Sequence, residues 1–189
     1  MSDRSSPEPL SRRTIGVAVG LALALAVGVI VISRLVGDAP VPAPPPTTTT
    51  SAPRTGPLAL VPVDAPDANS PACAALLGRL PARLSSGSRT LGRLPLAEPA
   101  PPATVAWGDG GEPVVLRCGL PRPPELTPTA QLRDISGVSW LPVQGDGATT
   151  WYVVDRTAYV ALTVPGDAGT GPLQEISETV RGKLQRRPG

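Results

Sequence analysis

The residue types in this chain exclude several common kinds of catalytic site. The 189 residues include no histidine, so the chain cannot build a Ser-His-Asp or Cys-His catalytic arrangement, or a metal site with histidine ligands. No glycine loop has the spacing of a phosphate-binding motif. The one lysine, Lys183, lies near the C-terminus on a polar-faced helical segment, a poor position for a Ser-Lys dyad. We predict no catalytic residue, no metal site and no cofactor.

Carboxylates are the remaining candidates for acid–base chemistry, which needs two such groups a few ångströms apart with different pKa values. Asp109 and Glu112 lie in a glycine-rich turn and Asp146 lies in another, where solvated acids are ordinary. Asp155 and Arg156 could clamp a ligand, but a tight turn explains the pair more simply. The other acids are scattered, which argues against a hard-cation site. A carboxylate-dependent envelope hydrolase or transferase is therefore kept as the alternative to a non-enzymatic module.

Aromatic side chains are one candidate binding surface. Four of the five large aromatics lie on three successive predicted strands: Trp140, Trp151, Tyr152 and Tyr159. Trp151 and Tyr152 are adjacent, so strand alternation points them to opposite faces of the sheet. One of them is expected in the core and the other at solvent, where an aromatic ring often contacts sugars or peptides. The alternative is that loops or helices cover both rings.

Arginines form a second candidate surface. No acid occurs between Asp67 and Glu98, and four arginines lie in that interval: Arg79, Arg83, Arg89 and Arg93. Such a patch could contact lipid headgroups or anionic wall polymers, although a solvated helix edge and loop is the simpler interpretation. Thirteen basic and twelve acidic residues follow residue 38, a net charge of +1. That balance does not indicate a nucleic-acid-binding protein.

Residues 58–187 are expected to form one α+β domain. Asn69, Ser70 and Pro71 are typical of a helix start, and an apolar face at Cys73, Leu76, Leu77 and Leu80 follows, ended or bent by Pro81 and Gly87. Five strands are predicted at 104–107, 114–118, 138–143, 149–154 and 158–164, and short turns make them antiparallel. A last helix carries Leu173, Ile176, Val180 and Leu184. The prediction is an antiparallel sheet of about five strands packed with an N-terminal and a C-terminal helix.

The chain has two cysteines, Cys73 on the first predicted helix and Cys118 on a strand. Outside the cytoplasm a lone pair is usually a disulfide, and no C-x-x-C redox motif is present. We predict a Cys73–Cys118 disulfide, with two reactive thiols as the alternative.

The segment before the domain predicts a membrane anchor. Ile15 to Ile32 are 18 consecutive apolar residues, about 27 Å of helix, and Val36 extends the span by a turn. More arginines precede the span than follow it, so residues 1–14 are predicted in the cytoplasm and the domain outside. A cleaved signal peptide is the alternative to an uncleaved anchor at 15–36, and twin-arginine export is a further one.

Residues 37–57 are predicted to be a disordered linker. Asp38 to Pro57 hold seven prolines and five threonines, which favours an extended polyproline II spacer. The Thr47–Thr50 run suits O-glycosylation, and an unmodified spacer fits equally well.

Several strings in the domain resemble domain-of-unknown-function family 3515. They include Val114 to Pro123, Leu126 to Thr129, Gly137 to Trp140 and Val154 to Val160, within a likeness covering roughly 60–181. The resemblance implies a small exported or membrane-anchored protein of high-GC Gram-positive bacteria, with a paired cysteine and no assigned activity. We expect a single-pass cell-membrane protein whose extracytoplasmic module binds a cell-wall polymer or an envelope protein.

Overall fold

Residues 56–187 are described by the computed structural model, and within this range the chain forms two helices and eight strands. The helices are α1 (Pro71–Leu77) and α2 (Gly171–Lys183), and the strands are β1 (Arg83–Ser86), β2 (Arg89–Leu94), β3 (Thr104–Gly108), β4 (Val114–Leu120), β5 (Arg133–Ile135), β6 (Val138–Gln144), β7 (Ala148–Val153) and β8 (Tyr159–Pro165). The α+β class and the antiparallel sheet are confirmed.

The eight strands form a single antiparallel sheet in the order β1-β2-β3-β4-β8-β7-β6-β5. Each half is a four-stranded meander, and the halves meet where β4 pairs with β8. The register of that pair shifts between Cys118 and Leu120, so Gly119 forms an irregularity at the end of β4. Gly119 has a φ of 85°, a backbone conformation that glycine adopts without steric cost.

The expected number of about five strands is wrong. All five predicted strands are present, but β1, β2 and β5 were missed because each contains arginine and none has a run of consecutive apolar residues. β1 buries only Leu84 and Ser86, a weak alternation for sequence analysis to detect. Gly87 does not end a helix: with a φ of 61° it lies in the two-residue turn that joins β1 to β2, where a positive φ suits the strand twist.

The first helix is shorter than its apolar pattern predicted. Ser70 is the N-cap, accepting a hydrogen bond from the Cys73 N–H at 3.3 Å, and Pro71 is the first helical residue as expected. The helix ends at Leu77, although Leu80 beyond it is still buried.

Both helices contribute to a core on one face of the sheet, here called the helix face. It includes Trp107, Leu116 and Leu162 from the strands and Leu76 and Ile176 from the helices. The stripe predicted for the last helix is buried at all four positions, Leu173, Ile176, Val180 and Leu184. Packing against the sheet therefore explains the period of that stripe.

The predicted disulfide is confirmed. Cys73 and Cys118 are bonded, with their Cα atoms 5.7 Å apart, and no free cysteine remains in the chain. The bond ties α1 to the central strand β4, and both residues are fully buried.

The opposite, open face of the sheet carries a second, smaller cluster formed by Leu58, Ala106 and Val115. Leu58 pairs with Leu96 through backbone hydrogen bonds, Leu58 N–H to the Pro95 carbonyl and Ala97 N–H to the Leu58 carbonyl. No pattern in the sequence predicted this cluster.

No helix in residues 56–187 is long and apolar enough to span a bilayer. The anchor predicted at 15–36 and nearly all of the predicted linker lie outside the described residues.

Candidate functional site

The two adjacent aromatics lie on opposite faces of β7, as strand alternation requires. Trp151 is half-buried and packs against the core of the helix face. Tyr152 is half-buried on the open face, in register with Ala161 of β8 and Leu141 of β6. Since Ala161 is also paired with Arg117 of β4, a row of side chains runs across four strands from Arg117 to Leu141.

A stretch of chain before α1 lies over part of this row, and we call residues 58–68 the N-terminal strap. Arg117 donates from Nη2 to the Val61 carbonyl at 3.5 Å, and the Asp67 N–H donates to the Gly119 carbonyl at 3.0 Å. Leu60 packs on the smaller cluster of the open face. The strap therefore covers β4 and leaves Tyr152 beside it.

Two depressions lie along the open face. The first depression has a volume of about 340 Å³ and is bordered by the strap, by β4 and by the turn between β6 and β7. Its lining residues are Leu60, Glu112, Pro113, Val115, Arg117, Asp146, Gly147, Ala148, Thr163 and Pro165. Thr163 and Thr150 of adjacent strands are hydrogen-bonded through their hydroxyls at 3.1 Å.

The second depression, about 220 Å³, is built around Tyr152 and the proline-rich loop after β4. Its lining residues are Asp64, Leu120, Pro121, Arg122, Pro123, Pro124 and Tyr152. Prolines hold a loop of this kind in an extended shape at little entropic cost. The depression therefore presents a pre-formed apolar wall beside an aromatic ring.

Burial affects the charge behaviour of the row. It raises the pKa of Tyr152, and the charge of Glu125 raises that pKa further while Arg117 opposes both. Burial also lowers the pKa of Arg117, which remains cationic because a guanidinium starts so high. The Arg117 Nε–H is buried and has no acceptor among the described residues. The open face thus offers a neutral phenol and a partly desolvated cation on strands two spacings, about 10 Å, apart.

Two of the four aromatic residues predicted for a binding surface, Trp140 and Tyr159, are engaged in contacts with other side chains. The expectation that Trp140 belongs to a binding surface is wrong. Trp140 is fully buried in the helix-face core, and its Nε1–H donates to the Ser177 hydroxyl at 2.9 Å. It cannot contribute to a surface, because its strand position faces α2. Tyr159 lies under the Arg187 guanidinium, 4.1 Å from the ring centroid, and its hydroxyl accepts a hydrogen bond from that side chain.

The predicted arginine patch is partly neutralised in the fold. Arg89 is ion-paired with Asp167 at 3.0 Å and with Asp109 at 3.5 Å. Arg93 donates to the carbonyls of Leu80 and Pro81 and stacks over Trp107.

The two remaining arginines of that interval, Arg79 and Arg83, are exposed. The interval contains no acid, but the fold brings Asp109 and Asp167 from distant positions to Arg89.

The acids do not gather into a metal site. Within residues 56–187 no group of three or more cysteine or carboxylate ligands occurs. The side chains of Asp155 and Arg156 form an ion pair, and both residues belong to the connection between β7 and β8. Glu112 and Asp146 line the first depression, a convergence that their separate turns did not predict.

Fold and open face together describe a disulfide-stapled α+β domain with a strap-bordered sheet surface. The chain belongs to the family described as a protein of unknown function (DUF3515), whose family model matches residues 19–189. No curated protein and no solved structure shows a significant match to the chain.

Proposed function

We propose that this protein is a membrane-tethered extracytoplasmic binding module whose open sheet face, around Tyr152, contacts a cell-wall polymer or an envelope protein. Its tether would be the apolar span at 15–36, and its reach would come from the proline-rich linker at 37–57. The arginines before the span favour an N-terminus in the cytoplasm and a domain outside it. A disulfide between the two cysteines suits an oxidising compartment.

The observation that carries the proposal is the placement of Tyr152. It is a half-buried aromatic ring on a sheet surface, and it lines the second depression together with Asp64 of the strap. A tyrosine offers a large apolar contact area at low cost in side-chain entropy and a hydroxyl for a hydrogen bond. Nearby Arg122 and Asp64 supply polar contacts of both signs, which suits an uncharged or mixed-charge ligand.

Replacing the ring tests this proposal. We expect Tyr152→Ala to lower the melting temperature modestly, since the side chain is only half-buried, and to abolish retention of the domain on isolated cell envelopes. Tyr152→Phe keeps the ring and should retain most binding. An unfolded Tyr152→Ala protein, or full retention by the folded one, would contradict the proposal.

A photo-crosslinking residue at position 152 distinguishes the two partner classes. We expect crosslinked products in intact envelopes, which glycan digestion or protease digestion then assigns to polymer or protein. The matched control places the same residue at Gln174, an exposed position of α2. Equal crosslinking from both positions would indicate no specific surface.

The first depression favours a second candidate function, a carboxylate-dependent hydrolase or transferase. Glu112 and Asp146 both line this concavity beside the cationic Arg117. Two carboxylates across a cleft are the arrangement that histidine-free glycoside hydrolysis uses.

An activity measurement separates the candidates. For an enzyme, purified wild-type protein should release fragments from isolated wall polymers, and Glu112→Gln or Asp146→Asn should reduce the release at least a hundredfold. Asp64→Asn, which changes the second depression, is the control and should have little effect. No release by the wild-type protein would exclude this candidate for those polymers.

A further inference from the structure

A separate cavity of about 620 Å³ lies at the C-terminal end of α2, away from the residues of the proposed binding face. Its lining comes from the last turn of the helix, the residues that follow it, Gly137 of the β5–β6 turn, and Arg156. Four of the lining side chains are cationic: Arg156, Arg181, Lys183 and Arg186.

Backbone hydrogen bonds hold the walls of this cavity around Arg156. The residues after α2 pair with the connection that contains Arg156: Thr157 N–H donates to the Gln185 carbonyl at 3.0 Å, and Arg187 N–H donates to the Asp155 carbonyl at 2.9 Å. The Arg181 side-chain stem packs near the Cα of Gly137. Cations from two segments far apart in the chain, the end of α2 with the residues after it and the β7–β8 connection, are thereby held around one space.

Arg156 is the unusual member of the set. Its side chain is only 2% exposed, and it donates to Asp155 Oδ2 at 2.5 Å and to the Gly137 carbonyl at 2.6 Å. Its Nε–H is buried with no acceptor among the described residues. A buried guanidinium donor without an acceptor is costly. Because that donor is itself buried, Arg156 contributes a fixed positive charge to the wall of the cavity rather than a free N–H open to a ligand.

The charges around the cavity favour a multivalent anion. Two acids lie close by: Asp155, bonded to Arg156, and Asp134, whose Oδ1 accepts a hydrogen bond from the Gly137 N–H. The C-terminal end of α2 adds a partial negative charge of about half a unit. Against four cations these leave a positive excess. Arg181 and Lys183 form no ion pair within residues 56–187, so their charge is available.

We propose that this cavity binds a phosphate group, with the exposed Arg181, Lys183 and Arg186 as its partners and the buried Arg156 as a fixed charge in its wall. Guanidinium groups match phosphate oxygens in geometry, and a lysine adds a mobile point charge. The volume is far larger than one phosphate, so the group belongs to a larger molecule, either an anionic lipid headgroup or a soluble phosphorylated compound. This phosphate site shares no residue with the open face, so it is independent of the binding function proposed for that face.

Titration of the full-length protein in nonionic detergent tests the proposal, with the Arg156 Nε–H resonance as the readout. We expect pyrophosphate, and more weakly inorganic phosphate, to shift this resonance. The double variant Arg181→Gln/Lys183→Gln should weaken binding at least tenfold. Arg156 is left unchanged, because its loss would strand Asp155 in a buried position without its partner.

The matched control is Arg79→Gln/Arg83→Gln, which removes two exposed charges outside the cavity and should leave binding within twofold of wild type. A parallel arm adds phosphatidylglycerol or phosphatidylcholine to the micelles. A shift with phosphatidylglycerol assigns the phosphate to a lipid headgroup, and a shift with pyrophosphate alone assigns it to a soluble compound. No shift with any probe, or equal weakening in both double variants, would overturn the proposal.

Discussion

A buried serine connects α2 to the sheet. The indole N–H of Trp140 donates to the Ser177 hydroxyl at 2.9 Å, and that hydroxyl donates to the Leu173 carbonyl at 2.6 Å. Ser177 is fully buried in the middle of α2, where a serine can bond the carbonyl four residues earlier. One hydroxyl therefore satisfies the indole of a core tryptophan and fixes the rotation of the helix over the sheet.

Removing that hydroxyl should destabilise the domain. In Ser177→Ala the Trp140 N–H loses its acceptor in a buried environment, a loss of about 1–3 kcal/mol in the free energy of unfolding. Urea unfolding followed by tryptophan fluorescence measures it. Ser85→Ala, at an exposed position of β1, is the control and should change stability by less than about 0.5 kcal/mol. Equal stability of the two variants would contradict the role given to Ser177.

The phenol of Tyr152 on the open face should lose its proton at a higher pH than an exposed tyrosine does. In Tyr159→Phe the one remaining tyrosine is Tyr152, and its tyrosinate absorbance should rise with a midpoint above the ordinary value of about 10, because burial raises its pKa. The unfolded protein in denaturant provides the reference. A raised folded pKa means that this group's stabilisation is complete below the unfolded pKa and is lost as pH rises through the folded one. An unshifted midpoint would show an open, hydrated ring.

At the scale of elements, the strap depends on a close approach that only glycine allows. A Cβ at Gly119 would lie 2.3 Å from the Ala68 nitrogen, and its φ of 85° is unfavourable for other residues. The strap therefore lies on β4 because β4 has no side chain at that point.

We expect Gly119→Ala to lower stability by well over about 1 kcal/mol and to make residues 58–68 accessible to protease. The control is Gly147→Ala, at a φ of 72° with nothing within 4 Å of the added carbon. It imposes similar backbone strain without the collision. If the two variants lose the same stability, strain alone accounts for the effect and the strap contact contributes little.

Elements with a strong apolar period were predictable from the sequence, and elements held by distant partners were not. The apolar stripe of α2 and the apolar runs of β4, β6 and β8 are visible in the sequence because those residues are themselves buried. β1 has no such pattern; its Ser85 N–H is instead bonded to Glu175 Oε1 at 2.8 Å, across 90 residues. The two depressions and the cavity around Arg156 are also formed by segments far apart in the chain, so no local sequence pattern predicts them.

At the scale of the whole molecule, the sheet ends are suited to a protein that remains separate from its copies. The edge strands β1 and β5 are four and three residues long, and each carries an exposed arginine, Arg83 or Arg133. Short, charged edges resist pairing with strands of another molecule.

We expect the N-terminus in the cytoplasm and the domain outside it, because arginines cluster before the 18-residue apolar run. Protease added to intact, wall-stripped cells should digest the domain and leave an N-terminal tag protected. Lysed cells, in which both should be digested, are the control. Protection of the domain in intact cells would contradict this topology. It would also exclude cell-wall polymers and other external envelope components as binding partners.

The order of strands has a consequence for how the protein is made. If the domain crosses the membrane from its N-terminal end, α1, the first meander and both cysteines are outside once residue 120 has crossed, so the disulfide can close before the second meander follows. The central strand β4 then waits for β8, the last strand synthesised, before the sheet is continuous. Until that pairing, β4 has an unpaired edge, and a nascent chain at this stage is exposed to misassociation. Oxidation of the first half would restrict what that edge can pair with and leave β8 as its natural complement.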